Sequence, residues 1–201
     1  MAYSLLVNTG KGSTDGTAVT TDAIDTTGAD FIILAVSTSG DILTPTDSKT
    51  NTWTGLAESS ASVSARIKLW YAQNPTVGTG HTFSYSGVND YPTVCVAAFS
   101  GSVTTPADVT GSAVSAAATS LATGSVTPTE DNELIVSGLC KSEDDTVSID
   151  SGMTITNQIP LVGSQHMMGA LAYKIQTTAA AINPSWSWVT SPSVGVTIGP
   201  L

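Results

Sequence analysis

The side chains best suited to acid–base, nucleophilic or metal chemistry are few and scattered in this sequence. There are two histidines, His81 and His166, so a site built from three histidine ligands is impossible. Neither histidine has a carboxylate at the i+3 or i+4 spacing that a helix would need. A Ser-His-Asp triad stays open, because its members can come from distant positions, but no Gly-x-Ser-x-Gly elbow occurs. We therefore predict a protein without catalytic residues.

Acidic residues cluster at Glu143, Asp144 and Asp145, with Asp150 close behind. Carboxylates in a loop can bind Ca²⁺, but this spacing is not that of an EF-hand loop. Glycoside cleavage would need two carboxylates at a defined separation across a cleft, and nothing in the sequence fixes one. We interpret the cluster as a solvated, charged loop and predict no bound metal and no cofactor.

Two further patterns have a chemical and a structural interpretation. Thr9–Thr14 contains a Gly-Lys pair, but a phosphate-binding loop needs a glycine five residues before that pair, where this chain has Leu5. We predict a mobile Gly/Ser loop instead. Cys95 and Cys140 lie in apolar stretches and lack a CxxC partner, which indicates two buried, reduced thiols. A disulfide would require that their two strands are neighbours.

The composition indicates an all-β protein. The chain has 201 residues, enough for a substantial core, and 41% of them are hydrophobic while only 11% are charged. Thr and Val favour half-buried pleated surfaces, and Gly and Ser favour turns. Long runs of strong helix formers are nearly absent.

The charge and the N-terminus exclude several function classes. Six basic residues against 16 acidic ones give a net charge of −10, so we predict that the chain binds neither nucleic acid nor an anionic membrane. No apolar run approaches the ~18 residues of a membrane span. The N-terminus has no basic region before an apolar one, so we expect no signal peptide but a complete chain made in a cytoplasm.

Apolar runs of β-branched residues organise the chain. Phe31–Val36 is typical of a strand buried on both faces, and a similar run lies at Leu134–Val136. Turns, tyrosines and strands recur in the same order at a spacing of about 100 residues, which indicates two related copies of about five strands. We predict an all-β, jelly-roll-like antiparallel β-sandwich with two sequence-related halves, 1–101 and 118–201. A Ser/Ala/Gly/Thr-rich segment joins them. One shared sandwich is preferred to two small ones, which would leave long open edges.

Strand alternation singles out an interface. In Arg66–Ala72, Arg66, Lys68 and Trp70 should share the outer face, and an exposed Trp often marks a contact. Tyr3 and Leu5, in an N-terminal arm formed by residues 2–7, are further candidate contacts. We favour a subunit contact for Trp70 over a platform that stacks on a glycan. The other tryptophans should differ, since Trp186 and Trp188 share a strand face and are predicted to lie in the core.

Five motifs resemble a known kind of module. They are the apolar strand Phe31–Val36, Thr-Asp-Ser-x-x-Asn-Thr-Trp at 46–53, Leu-Trp-Tyr-Ala at 69–72, Gly-x-Gly-His-Thr-Phe-Ser-Tyr at 78–85, and Val-Ala-Ala-Phe-Ser-Gly at 96–101. In this order they resemble a β-sandwich module of phage virion proteins and bacterial surface proteins. The motifs are turns and core strands, so the resemblance is specific for fold.

The resemblance implies a non-enzymatic virion protein, made in the host cytoplasm, that decorates and stabilises a phage head. Its expected partners are the major capsid protein or another virion protein, and further copies of itself in a closed oligomer such as a trimer. The alternative is a carbohydrate-binding or host-surface-binding module of a tail fibre or a cell surface. That alternative predicts a stripe of exposed aromatic side chains that includes Trp53 or Trp70.

Overall fold

The computed structural model describes residues 3–14, 16–59, 64–87, 91–101, 109–160 and 167–201. Within these ranges every regular element is a β-strand, and every strand pairing is antiparallel. The predicted all-β fold and antiparallel β-sandwich are therefore confirmed.

Among the described residues, eight strands lie in the first half: β1 (Ser4–Gly12), β2 (Ala18–Thr20), β3 (Phe31–Thr38), β4 (Thr46–Asp47), β5 (Thr54–Glu58), β6 (Arg66–Gln73), β7 (Phe83–Ser86) and β8 (Thr93–Ser100). Eight more lie in the described part of the second half: β9 (Gly111–Ser115), β10 (Ser120–Ala122), β11 (Glu133–Lys141), β12 (Ser148–Ile149), β13 (Thr154–Ile159), β14 (Met168–Gln176), β15 (Ser185–Ser187) and β16 (Val194–Pro200). Several of them have two or three residues, too few for alternation to be read from the sequence, so each half has more strands than predicted.

The two halves have the same topology. The first forms a five-stranded sheet, β1-β8-β3-β6-β5, and a three-stranded sheet, β2-β7-β4. The second forms β9-β16-β11-β14-β13 and β10-β15-β12, which is the same order strand for strand. The correspondence is one of strand order; the relation between the sequences of the two halves stays a prediction.

The four sheets form four layers around three hydrophobic clusters. The two five-stranded sheets pack face to face over a cluster that both halves supply. Each three-stranded sheet covers the outer face of its own five-stranded sheet and encloses a second cluster there. Both five-stranded sheets are therefore buried on two faces, and each half supplies one sheet to the shared central interface.

The strand β3 shows why this sequence folds into a sheet that is covered on both faces. Phe31, Ile33 and Ala35 lie in the central cluster, whereas Ile32 and Leu34 lie in the outer cluster of the first half. All five side chains are at most 1% exposed. Alternate side chains of a strand point to opposite faces, so a run without polar residues can fold only where both faces are covered. Full burial of each such large side chain stabilises the fold by about 1.5–3 kcal/mol.

The two halves approach closely at a glycine and are joined by hydrogen bonds. A Cβ added at Gly138 would lie 2.6 Å from Ile67 Cδ1, so the two central sheets approach closely there. Thr93 Oγ1 donates to the carbonyl of Met167 at 2.5 Å, and Asn157 Nδ2 donates to Asn8 Oδ1 at 3.2 Å. The halves thus meet through a packed interface with specific polar contacts.

Two predicted loops contain strands instead. The Gly-Lys pair of Thr9–Thr14 lies in β1, which pairs with β8 as far as Gly12, because extended backbone continues past both glycines. In the segment expected to join the halves, Gly111–Ser115 forms β9 and pairs with β16. The rest of that segment includes 102–108, which lie outside the described residues.

Candidate functional site

The predicted interface strand β6 is more deeply covered than its alternation suggested. Arg66 and Lys68 are half-buried, with side chains 15% and 23% exposed. Trp70 is only 7% exposed and packs in the outer cluster of the first half with Trp53 and Phe83. The expectation that Trp70 is exposed was wrong, because this side chain packs in the outer cluster, which the three-stranded sheet helps to enclose.

The two basic side chains of this strand are paired on the protein. Arg66 contacts Asp41 at 2.5 Å and Glu58 at 3.9 Å, and Lys68 lies 3.9 Å from Glu58. The ammonium of Lys68 is also 4.6 Å from the ring centre of Trp70. We call Asp41, Glu58, Arg66 and Lys68 the charged edge. Ion pairs this close to solvent contribute little to stability, so both signs of charge can serve contacts with a partner.

The other two interface candidates lie in the edge strand or next to it. Tyr3 is 3% exposed and belongs to the central cluster, against which the half-buried Leu5 packs. β1 begins at Ser4 and pairs with β8, so residues 4–7 are not a free arm; Ala2 lies outside the described residues. Leu6, at the irregularity in β1, is 45% exposed and is the apolar side chain that this strand presents to solvent.

The four tryptophans are all buried, which removes the premise of the glycan-platform alternative. Trp53 and Trp70 are 8% and 7% exposed, and Trp186 and Trp188 are 0% and 7% exposed. The core assignment of the second pair is confirmed. The first pair forms no exposed aromatic stripe, since its outer cluster lies between two sheets.

A buried carboxylate joins two of the motifs, and the sequence interpretation missed it. Asp47 accepts hydrogen bonds from His81 Nε2 at 3.0 Å, Trp53 Nε1 at 2.9 Å and Asn51 Nδ2 at 3.1 Å. The backbone N–H groups of Lys49 and Asn51 donate to it at 2.8 and 3.1 Å. The motif at 46–53 is therefore a turn wrapped around its own aspartate, and the histidine of the motif at 78–85 closes the ring of donors.

The second ring nitrogen of His81 extends this network. His81 Nδ1 lies 2.9 Å from Thr26 Oγ1, and Gly78 N donates to the same hydroxyl at 3.1 Å. Since Nε2 faces a carboxylate it carries the proton, and Nδ1 accepts from the threonine. Burial lowers the pKa of His81 below its ordinary value, while Asp47 opposes that shift. The order Thr26–His81–Asp47 has the residue types of a hydrolytic triad.

Burial nevertheless gives this network a structural role. Thr26 and His81 are 0% exposed, and so is the side chain of Asp47. A nucleophile must reach the substrate carbonyl, and here the hydroxyl lies beneath the loop whose Gly78 it contacts. The network fixes the turn at 47–53 to the loop at 74–82. His166, the other histidine, lies outside the described residues.

The acidic loop is held by contacts with the protein. One oxygen of Asp145 contacts the ammonium of Lys141, and the other accepts from the backbone N–H groups of Val189 and Thr190 at 2.8 and 2.9 Å. Burial lowers the pKa of Lys141 to about 8, although nearby carboxylates of the loop oppose that shift. The described residues contain no group of three or more His, Cys, Asp or Glu placed to hold a metal ion.

Cys95 and Cys140 are both free and buried in the central cluster. Burial raises the pKa of Cys140 to about 12 and raises that of Cys95 further still. The thiolate is the nucleophile and metal ligand, so we expect neither thiol to react in the folded protein. The prediction of two buried, reduced cysteines is confirmed.

Comparison of the chain with protein-family models, curated proteins and solved structures finds no significant match. Among the described residues there is no helix long and apolar enough to cross a membrane.

Proposed function

We propose that this chain is a non-enzymatic structural protein of a phage virion, made in the host cytoplasm, that decorates the capsid and stabilises the head. One observation carries the proposal: the side chains most suited to catalysis are buried inside the fold and hydrogen-bonded there. Asp47 and His81 are fully buried and bonded to each other and to the turns around them. The motifs that suggested a virion module therefore hold the turns of the fold together.

Stacked layers suit a protein that must keep its shape on a shell. The two central sheets are covered on both faces, and the halves share a cluster that contains Phe31, Phe99 and Leu134. We therefore expect such a protein to bind its partners through its outer surface. The charged edge and the exposed Leu6 of β1 are the surface features that we assign to contacts with the major capsid protein or with further copies of the chain.

The mechanism is linkage by mass action. A protein that binds the assembled shell and not the free shell subunits stabilises the shell in proportion to the logarithm of its free concentration over its dissociation constant. At about 100 times the dissociation constant, each occupied site adds about 2.7 kcal/mol. Closed symmetry, such as a trimer, multiplies this effect because one oligomer engages several shell subunits.

The experiment has two stages. Light scattering at micromolar concentration and neutral pH gives the native mass, for which we expect a closed oligomer. The protein is then added to capsids of the encoding phage from which it has been stripped, and the pellet is assayed for rebinding and for resistance to heat. A strict monomer that fails to rebind would refute the proposal. The double variant Arg66→Glu/Lys68→Glu should weaken rebinding, whereas Lys11→Glu, at an exposed ion pair elsewhere, should not.

A further inference from the structure

The corresponding hairpins of the two halves differ in length. In the first half the connection from β4 to β5 spans residues 48–53, whereas in the second half the connection from β12 to β13 spans only residues 150–153. The shorter connection turns through Ser151 and Gly152, both of which have positive φ, 59° and 73°. The tip of the second hairpin therefore ends earlier than that of the first.

In the first half the longer turn fills the space beside the neighbouring loop. Asn51 Oδ1 accepts from the backbone N–H of Thr76 at 2.6 Å, and Asn51 Nδ2 donates to the carbonyl of the same residue at 3.1 Å. Lys49 Nζ donates to the carbonyl of Thr79 at 3.1 Å. The carboxamide of Asn51 thus forms two hydrogen bonds with the backbone of Thr76, one as acceptor and one as donor.

The same space is open in the second half. Isolated bridges pair Ile24 with His81 in one half and Val126 with Ile182 in the other, so Ile182 takes the position of His81. Between Ser151 and the segment 174–183 lies a cleft of about 430 Å³. Its floor includes Ile182, which is 6% exposed. The shorter turn leaves this cleft without the side chains that fill its counterpart.

The groups that line the cleft are hydrogen-bonding and mostly uncharged. They include Thr177, Thr178 and Asn183, beside Lys174. The amide of Gln176 also lies in the wall, but its Nε2 already donates to the carbonyl of Ala180 at 2.5 Å. Lys174 Nζ donates to the carbonyl of Ser151 at 2.9 Å, which leaves two of its three N–H donors for a ligand. Primary amides and hydroxyls offer a hydrogen-bond donor and an acceptor side by side. An amide group of a ligand can therefore donate through its N–H and accept through its carbonyl at the same place.

We propose that this cleft is a binding site for an amide group, in the place where the first half carries its own carboxamide. The group could come from an Asn or Gln side chain of a protein or from the acetamido group of an amino sugar. Both sources present the same carbonyl and N–H. The apolar floor at Ile182 would contact the aliphatic part of either ligand.

The test is an NMR titration of the ¹⁵N-labelled full chain with three probes. They are the capped peptide Ser-Lys-Thr-Asn, which copies residues 48–51, N-acetylglucosamine, and glucose, which has hydroxyls but no amide. We expect saturable shifts of the backbone signals of 151–152 and 174–183 with at least one amide probe. The dissociation constant should be on the order of 1–10 mM, as suits so small a ligand. Which amide probe binds identifies the source.

A matched pair of variants distinguishes the cleft from the surface at large. Ala181→Trp places a large side chain at an exposed position of the cleft wall, and Thr79→Trp places one at an exposed position of the corresponding loop in the first half. The first should weaken binding about tenfold or more, and the second should leave it unchanged. The absence of saturable shifts with both amide probes, equal shifts with glucose, or equal losses in the two variants would each overturn the proposal.

Discussion

Replacing Asp47 with alanine should be among the most damaging single changes to this fold. The carboxylate accepts five hydrogen bonds, two of them from the rings of His81 and Trp53 at 3.0 and 2.9 Å. Both rings are buried, His81 at 0% and Trp53 at 8% exposed, so no water can easily replace the lost acceptor. The two ring donors would stay unsatisfied inside the protein.

The magnitude follows from these orphaned donors. Each buried donor that loses its partner costs about 1–3 kcal/mol, and two of them cost about 2–6 kcal/mol. The backbone donors of Lys49 and Asn51 lie nearer the surface, and water can replace part of their loss. We expect a total loss of about 4 kcal/mol, a large part of the 5–15 kcal/mol that stabilises a typical domain.

Urea unfolding at neutral pH, followed by tryptophan fluorescence, measures this loss. Asp150→Ala is the matched control, because Asp150 also lies at a hairpin turn and accepts from Ser185 N at 2.8 Å, but its side chain is exposed. That change should cost about 1 kcal/mol. Trp53→Phe removes one of the buried donors along with its need for a partner, and should cost less than Asp47→Ala. Equal losses for Asp47→Ala and Asp150→Ala would refute the assignment of Asp47 as the centre of a buried network.

Three further predictions concern pH, packing and reactivity. Burial holds the pKa of His81 below its ordinary value of 6.5. As the pH decreases below 6.5, the unfolded chain therefore binds a proton that the folded chain does not, and the free energy of unfolding should fall. Urea midpoints of the wild type and His81→Gln should then converge as the pH decreases; divergence would contradict this. Gly195→Ala puts a Cβ 2.6 Å from a backbone carbonyl of the other half and should lower the free energy of unfolding by about 1–3 kcal/mol. Gly199→Ala puts a Cβ 2.9 Å from a side-chain methyl, which can move, and should cost less. Thermal melts that rank the two variants in the reverse order would show that the interface is looser than described. Cys95 and Cys140 should resist iodoacetamide in the native protein and react in urea, as measured by intact mass; rapid native labelling would mean that the central cluster opens.

The tertiary structure decided which polar residues meet. The motif with Asp47 and the motif with His81 are both visible in the sequence, but their contact depends on the pairing of β4 with β7, since Asp47 lies opposite Phe83. A separation of 34 residues hides this contact from any reading of local spacing. The same holds for Lys141, whose position at the end of a buried strand shows only when its sheet neighbours are known.

Trp70 failed as an interface prediction for a related reason. Alternation along β6 separates its two faces correctly, with Ile67 and Leu69 in the central cluster and Trp70 in the outer one. It cannot say what covers each face. A two-layer sandwich leaves the second face in water, whereas this fold adds a third sheet over it.

By itself the sequence determined the secondary structure class, the strands buried on both faces and the burial of two reduced cysteines. These properties follow from local composition, because β-branched apolar runs such as Phe31–Val36 favour a strand that is covered on both faces. Only the tertiary structure decided the number of layers, the network around Asp47 and the open cleft beside Ile182. Each of these depends on which distant segments lie side by side, and that choice is made by packing of the whole chain.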